Sequence, residues 1–304
     1  MQDQASTLRE MMRDISHQAT SGNLQNYNSP KIPSVLAISG GKGGIGKTLT
    51  TANLGLCMAR MGMRTLLIDG DFGLANLDVI LNLRPRFTLD DVLCGERHLR
   101  EIIMTGPEGI RVIPSSSGVM KVSELDNLQK LVLLDQVEEL NEEFDVVLID
   151  TPAGVSKNVQ YWATSSSEVI MIVTPEPTSL ADCYASIKIL SQTTNETSFK
   201  LIVNMAQNEQ EAKRIFEKIS LLAEEYLSVR IEYLGSILLD DSVKNSVRDR
   251  VPYVQRYPFS PASQGMREIA RQIVTQSSVG QLKGTMQFFW RKMVNSNKEL
   301  FNYK

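Results

Sequence analysis

Val35-Leu36-Ala37-Ile38-Ser39-Gly40-Gly41-Lys42-Gly43-Gly44-Ile45-Gly46-Lys47-Thr48 is the stretch that decides the fold. Its first four residues are an apolar run that reads as a buried strand, and Leu49 to Met61, just beyond it, has the spacing of a buried helix. Gly41, four intervening residues, then Gly46-Lys47-Thr48 is the spacing of a P-loop. Glycines let backbone N–H groups turn inward around phosphate oxygens without interference from a Cβ. The following helix N-terminus adds partial positive charge beneath the same anion. Gly41, Gly43, Gly44, Ile45, Gly46, Lys47, Thr48 and Leu49 are therefore the expected nucleotide-binding positions. In such a loop the lysine, here Lys47, contacts the β- and γ-phosphates and the hydroxyl of Thr48 ligates Mg²⁺.

Outward from this loop the pattern is strand and helix in alternation. Apolar strands are expected at Thr65 to Asp69, Ile110 to Pro114, Phe144 to Asp150, Val169 to Thr174, Phe199 to Asn204 and Ile231 to Leu238. Helices are expected near 48–61, 121–142, 156–165, 178–193, 209–226 and 262–275. The fold class is α/β, a P-loop NTPase with a mostly parallel sheet covered by helices on both faces. Ligands of such sheets lie beyond the carboxyl ends of the strands, so strand-terminal polar residues are the remaining site candidates. Asp150, followed by Thr151-Pro152-Ala153-Gly154, stands at a Walker B position, where a carboxylate holds Mg²⁺, here through a water. A polar residue that merely caps a strand is the simpler alternative at each such position.

The bulk properties bound what the chain can do. Its 304 residues suffice for one large α/β domain with appendages, and 42% hydrophobic with 22% charged content is ordinary for a globular protein. A net charge of −3 gives no global basic field, so nucleic acid is not an expected partner. No window approaches the roughly 18 apolar residues of a membrane-spanning helix, and Met1-Gln2-Asp3-Gln4 does not open a signal peptide. A cytoplasmic location is the expectation. Cys57, Cys94 and Cys183 are widely spaced without a Cys-x-x-Cys pair, and His17 and His98 lie near no nucleophile motif. Disulfide, zinc and histidine chemistry are set aside.

Lys42 is a second lysine inside the loop. Lys42-Gly43-Gly44-Ile45-Gly46-Lys47-Thr48 matches the deviant Walker A, Lys-Gly-Gly-x-Gly-Lys-Thr, and so resembles the MinD/ParA ATPases. That resemblance implies ATP and Mg²⁺ as ligands and a nucleotide-sandwiched homodimer in which Lys42 reaches the partner's phosphates. Asp69-Gly70-Asp71-Phe72-Gly73-Leu74-Ala75-Asn76-Leu77-Asp78 resembles the switch I segment of the MinD branch. By the same resemblance Asp71 orients the attacking water and Asp69 supports the Mg²⁺ shell. Lys42, Lys47 and Asp71 are then the catalytic candidates, and Thr48, Asp69 and Asp150 the metal candidates. The family's adenine-reading asparagine corresponds to Asn204; a strand-terminal turn asparagine is the alternative reading of that residue. Leu238-Leu239-Asp240-Asp241 would supply further base contacts, but Leu239 stands where many relatives have proline.

The two ends of the chain point to one branch. Asp3-Gln4-Ala5-Ser6-Thr7-Leu8-Arg9 is similar to the Asp-Gln-Ala-x-x-Leu-Arg motif of the FlhG (FleN, YlxH) group, which regulates flagellar number and placement. The resemblance implies that Gln4, Leu8 and Arg9 act on a partner, the FlhF GTPase. Tyr257-Pro258-Phe259-Ser260-Pro261-Ala262-Ser263 resembles a second segment of that group. Residues 2–15 carry Ala5, Leu8, Met11 and Ile15 at helical spacing, and His17 to Pro33 is polar and reads as a linker. At the other end Phe288, Phe289, Trp290 and Met293 lie among Arg291, Lys292 and Lys298, a pattern suited to an anionic membrane surface or to packing on the chain's own core.

The expected organisation is 1–16 a partner-activating helix, 17–33 a linker, 34–276 a MinD-like ATPase domain and 277–304 a membrane-targeting segment. The expected function is an ATPase cycling between a cytosolic monomer and an ATP-bound dimer peripheral to the inner membrane, stimulating FlhF through its N-terminus. Flagellar switch (C-ring) proteins or a flagellar transcription regulator are further partner candidates. A nucleotide-gated scaffold, or a division-site or partitioning ATPase, are the alternative readings.

Overall fold

The computed structural model describes residues 33–71, 76–114, 143–194 and 196–277, with scattered positions between 132 and 140. Residues 1–32, with Gln4, Leu8 and Arg9, and 278–304, with Phe288, Phe289, Trp290 and Met293, lie outside the described residues. So do switch positions 72–75 and most of the helix expected over 121–142.

Among the described residues, eight strands form one sheet in the order β3 (Met104–Thr105), β4 (Arg111–Ile113), β2 (Thr65–Asp69), β5 (Val146–Asp150), β1 (Ser34–Ser39), β6 (Glu168–Val173), β7 (Ser198–Ala206), β8 (Arg230–Leu238). The central strand β1 (Ser34–Ser39) leads into α1 (Lys47–Arg60), and β2 (Thr65–Asp69) follows. Three short helices, α2 (Leu77–Ile80), α3 (Leu89–Leu93) and α4 (Leu99–Ile102), precede β3 (Met104–Thr105) and β4 (Arg111–Ile113). Then come β5 (Val146–Asp150), α5 (Lys157–Ser165), β6 (Glu168–Val173), α6 (Pro177–Thr194), β7 (Ser198–Ala206), α7 (Glu209–Leu227) and β8 (Arg230–Leu238). The described chain closes with α8 (Asp241–Asp249), α9 (Tyr253–Arg256) and α10 (Pro261–Ser277). All pairings are parallel except β3 with β4.

The strands read as continuous apolar runs because both faces of the sheet are covered. On β1, Leu36 and Ile38 face a core shared with Leu54 and Met58 of α1 and Met266 and Ile269 of α10. Val35 points the other way, into a cluster with Ile149 and Trp162. Further along that face, Val169 and Met171 of β6 pack on Cys183 and Ile187 of α6 and Ile219 of α7. Among the described residues no helix is long and apolar enough to cross a membrane.

The structure adds elements that periodicity does not announce. The helices at 77–80, 89–93, 99–102, 241–249 and 253–256 are short or hold little apolar surface, so they carry no pattern of their own. Caps define several of them. Thr88 and Asp91 form a capping box on α3, and the side chain of Asp240 accepts from Ser242 N at 2.8 Å on α8. The expected strand at Ile110 to Pro114 is shorter and forms a hairpin with β3, the antiparallel edge of the sheet.

Candidate nucleotide site

Register assembles the site. In the parallel ladders Asp69 of β2 stands opposite Asp150 of β5, and Asp150 is in turn opposite Ile38 of β1. The carboxyl ends of three adjacent strands therefore meet where β1 turns into the P-loop. The loop enters α1 through Gly46, at φ 91°, a left-handed conformation that favours glycine. Gly41 sits against the first turns of α6, where a Cβ would fall 2.7 Å from the Cβ of Asp182 and nearer still to its carbonyl. Gly43 and Gly44 are exposed, Ile45 is buried, and Thr48 and Leu49 are half-buried in the first turn of α1.

The lysines of the loop have different surroundings. Lys47 is buried, its ammonium donates to Lys42 O at 3.3 Å, and burial lowers its pKa while Asp150 and Asp71 oppose that shift. Lys42 is half-buried, with a partly exposed side chain; its Nζ donates to Glu176 Oε2 at 2.8 Å and to Thr178 Oγ1 at 3.2 Å, and the hydrogen bond and charge of Glu176 raise its pKa.

Burial dominates the acids. Asp150, 3% exposed, has its pKa pushed up to about 7 by desolvation, with the neighbouring charges of Asp69 and Asp71 adding to it and a Thr48 hydrogen bond opposing it. Asp69 is pushed up to about 6 by desolvation, although its carboxylate accepts from Asp71 N at 3.1 Å, Asn76 N at 3.1 Å and Leu77 N at 3.2 Å. Asp71, half-buried, is raised by desolvation against the pull of Lys47. Among the described residues, Asp69 and Asp71 thus bear on Asp150, and Asp71 and Asp150 on the Lys47 ammonium.

Asn204 ends the regular part of β7 and is brought to the same loop. Its Nδ2 donates to Ile45 O at 2.8 Å, and its Oδ1 accepts from Met205 N at 2.9 Å. In the segment Leu238 to Asp241, Asp240 accepts from Ser242 N at 2.8 Å and from Ala262 N at 3.2 Å, and Leu239 is exposed.

Comparisons with known proteins agree with this geometry. A family model described as an AAA domain matches residues 33–203. The antiactivator FleN of Pseudomonas aeruginosa is 35% identical over 260 residues, covering 86% of this chain and 93% of its own. The flagellum site-determining protein YlxH of Helicobacter pylori is 31% identical over 281 residues, covering 88% of this chain and 95% of its own. A chain of the MinC:MinD cell division protein complex of Aquifex aeolicus superposes with a TM-score of 0.65 at 29% identity, over 83% of this chain and 99% of that one.

The chain belongs to the MinD/ParA family of ATPases. Within that family it stands close to the FlhG group. It is accordingly an ATP-binding P-loop NTPase.

The donor set of this MinD/ParA ATPase suits a divalent cation bound together with phosphates. Among the described residues no three His, Cys, Asp or Glu side chains form a metal cage. Thr48, Asp69 and Asp150 would hold Mg²⁺ with nucleotide oxygens and water completing the shell, as is usual for that ion. The buried carboxylates of Asp69 and Asp150, with the Thr48 hydroxyl hydrogen-bonded to Asp150, are the observation that makes the fit.

Several contacts around the site were not singled out in the sequence. Glu176 and Thr178 hold Lys42, Asp182 packs on Gly41, and Thr51 Oγ1 lies 3.4 Å from Asp150 Oδ1. Trp162, 1% exposed, donates from Nε1 to Gly70 O at 3.2 Å and so braces the turn between Asp69 and Asp71. The strand-end rule that found Asp150 also points to the residues just past β6, where Glu176 lies. Trp162 left no such signal, because its partner is a backbone carbonyl distant in sequence.

Proposed function

We propose that this MinD/ParA ATPase hydrolyses ATP when two copies close around their nucleotides, and that the cycle sets the number or position of flagella. The carrying observation is the disposition of the lysines: Lys47 is buried among Asp71 and Asp150, whereas the Lys42 side chain is 41% exposed and paired with Glu176. A buried lysine suits the phosphates of its own nucleotide. A partly exposed one, on the same loop, suits those of a partner. The names of the relatives FleN and YlxH, an antiactivator and a flagellum site-determining protein, support the flagellar assignment.

In this reading the backbone N–H groups of residues 43–48 and the ammonium of Lys47 bind and orient the phosphate chain. Asp71, made more basic by burial, accepts a hydrogen bond from water and aims it in line with the γ-phosphate. Mg²⁺, when bound through Thr48 with Asp69 and Asp150 behind it, would neutralise charge on the phosphate oxygens. Closure by the partner then adds Lys42, a positive group of the kind worth roughly 10³–10⁵ in rate. The separate copy is a slow enzyme and the dimer a faster one.

The ends of the chain give the switch its output. Residues 1–16, through Gln4, Leu8 and Arg9, stimulate the FlhF GTPase, with 17–33 as tether. Residues 277–304, through Phe288, Phe289, Trp290 and Met293, place the ATP dimer on the inner membrane, while the separate copy stays cytoplasmic. Two copies of a weak anchor presented together bind far better than one through effective concentration.

Sizing of the full chain with ATP and with ADP tests the reading. The dimer is expected with ATP alone and lost in Lys42→Ala; an undiminished ATP-dependent dimer in that variant sinks the mechanism. Pelleting with anionic liposomes, with ATP and with ADP, tests the tail. It is expected only with ATP and only when residues 284–304 are present.

A further inference from the structure

Trp162 has the bulkiest of the fully buried side chains among the described residues, and α5 carries it into the cluster with Val35 and Ile149. A buried indole has a single N–H, which needs a partner. Here Nε1 donates to Gly70 O at 3.2 Å, the carbonyl that lies between Asp69 and Asp71. From the other side, Gly70 N donates to Asp150 O at 2.9 Å. A Cβ on Gly70 would fall 2.8 Å from that oxygen and 2.9 Å from Trp162 Nε1, so the turn closes on the indole with no space for a side chain.

We infer that Trp162 is a positioning residue for ATP hydrolysis: its indole N–H fixes the peptide that carries Asp71 and so aims that carboxylate. Gly70 C=O and Asp71 N–H belong to one planar peptide unit. Trp162 holds the first, and Asp69 Oδ1 accepts from the second at 3.1 Å. With both sides tied, the plane cannot turn without breaking a hydrogen bond, and the direction of the Asp71 side chain follows from that plane. Helix α5 is itself tied to the phosphate loop: Gly154 N donates to Gly40 O at 3.1 Å, and Ser156 Oγ caps the helix by accepting from Val159 N at 3.4 Å. Tyr161 meets the indole edge-on at 5.3 Å and restricts its rotation. Asp71 is thus held, through one buried ring, in a fixed relation to the loop that takes the phosphates. This role rests on Asp71 aiming the attacking water, and it adds the residue that aims Asp71.

Turnover at saturating ATP and Mg²⁺, measured on the full chain alongside ATP affinity, tests the role. Trp162→Phe removes the donor. Benzothienylalanine at position 162, with sulfur in place of the indole N–H, removes it while keeping the shape of the ring. Both proteins are expected to turn over ATP roughly 5- to 30-fold more slowly, the rate equivalent of one buried hydrogen bond. ATP affinity falls by about threefold or less, and the ATP-dependent dimer still forms, because the loop and both its lysines are untouched. Asp71→Ala is expected to be slower still. Adding either change at position 162 to it costs no further rate, since a residue that acts only through Asp71 has nothing left to aim.

Turnover in the benzothienylalanine protein equal to that of the unsubstituted chain overturns the inference. So does a loss of affinity as large as the loss of turnover, or a further slowing when a change at position 162 is added to Asp71→Ala; each marks a merely structural residue. If Asp71→Ala turns over ATP like the unsubstituted chain, the hydrolytic role of Asp71 falls and the role of Trp162 with it. If Asp71→Ala is slow while both changes at position 162 are silent, only the role of Trp162 falls.

Discussion

Without nucleotide, this protein is expected to lose stability as pH rises from mildly acidic to mildly alkaline, the reverse of ordinary acid denaturation. Asp150 holds its proton to about 7 and Asp69 to about 6, against 3.8 for an unperturbed aspartate. For an acid whose folded pKa is raised, the native state binds more protons than the unfolded chain between the two values, so unfolding becomes easier as pH climbs through that window. Between about pH 5.5 and pH 8, Asp150 accounts for a loss of roughly 2 kcal/mol and Asp69 for a little under about 1 kcal/mol. Lys47 acts in the opposite sense: its folded pKa is lowered, so stability recovers as pH climbs through that value.

Urea unfolding of the nucleotide-free chain at the two pH values measures the difference. Asp150→Asn removes the larger titrating group and is expected to be the more stable protein at alkaline pH, with most of the slope gone. Adding Mg²⁺ with ATP would place a divalent cation beside these acids and is expected to flatten the slope as well. Stability that is level or rising across this range in the nucleotide-free protein, or a slope that survives undiminished in Asp150→Asn, refutes the account of the buried acids.

Three further outcomes can be checked. Gly41→Ala forces a Cβ into the backbone of Asp182; overpacking of this kind costs roughly 1–3 kcal/mol in urea unfolding, and nucleotide affinity should fall with it. Trp162→Phe leaves Gly70 O without its buried donor; a loss of about 1–3 kcal/mol followed by circular dichroism is expected, with weaker ATP binding because the turn bearing Asp69 and Asp71 loosens. Glu176→Gln removes the charge that holds Lys42 within its own chain; the ATP-dependent dimer should then form at lower protein concentration, and a weakened dimer would mean that Glu176 helps rather than restrains Lys42.

Much of this protein is legible in its sequence because the relevant signals are local. Val35 to Ile38 followed by glycines and Lys47-Thr48 specifies strand, loop and helix from neighbouring residues alone, and the alternation beyond it implies a covered parallel sheet. Asp69 and Asp150 were recognisable because each is the polar end of an apolar strand. The short helices around residues 77–102 and 241–256 escaped because their boundaries are set by single capping bonds, such as those of Thr88 and Asp240, rather than by a repeating pattern.

The tertiary structure alone decided which strand ends meet and which way the polar groups face. Strand order sets β1 between β5 and β6, a choice made by how helices on two faces bury three apolar clusters, and no strand carries that information by itself. Register then places Asp69 beside Asp150, and their shared desolvation, not their chemistry as aspartates, lifts their pKa values. Lys42 and Lys47 are five residues apart on one loop, yet the fold buries one and leaves the other at the surface against Glu176. The sequence by itself determined that the chain has a phosphate loop. Burial, a property of the assembled sheet and helices, decided what each charge around that loop can do.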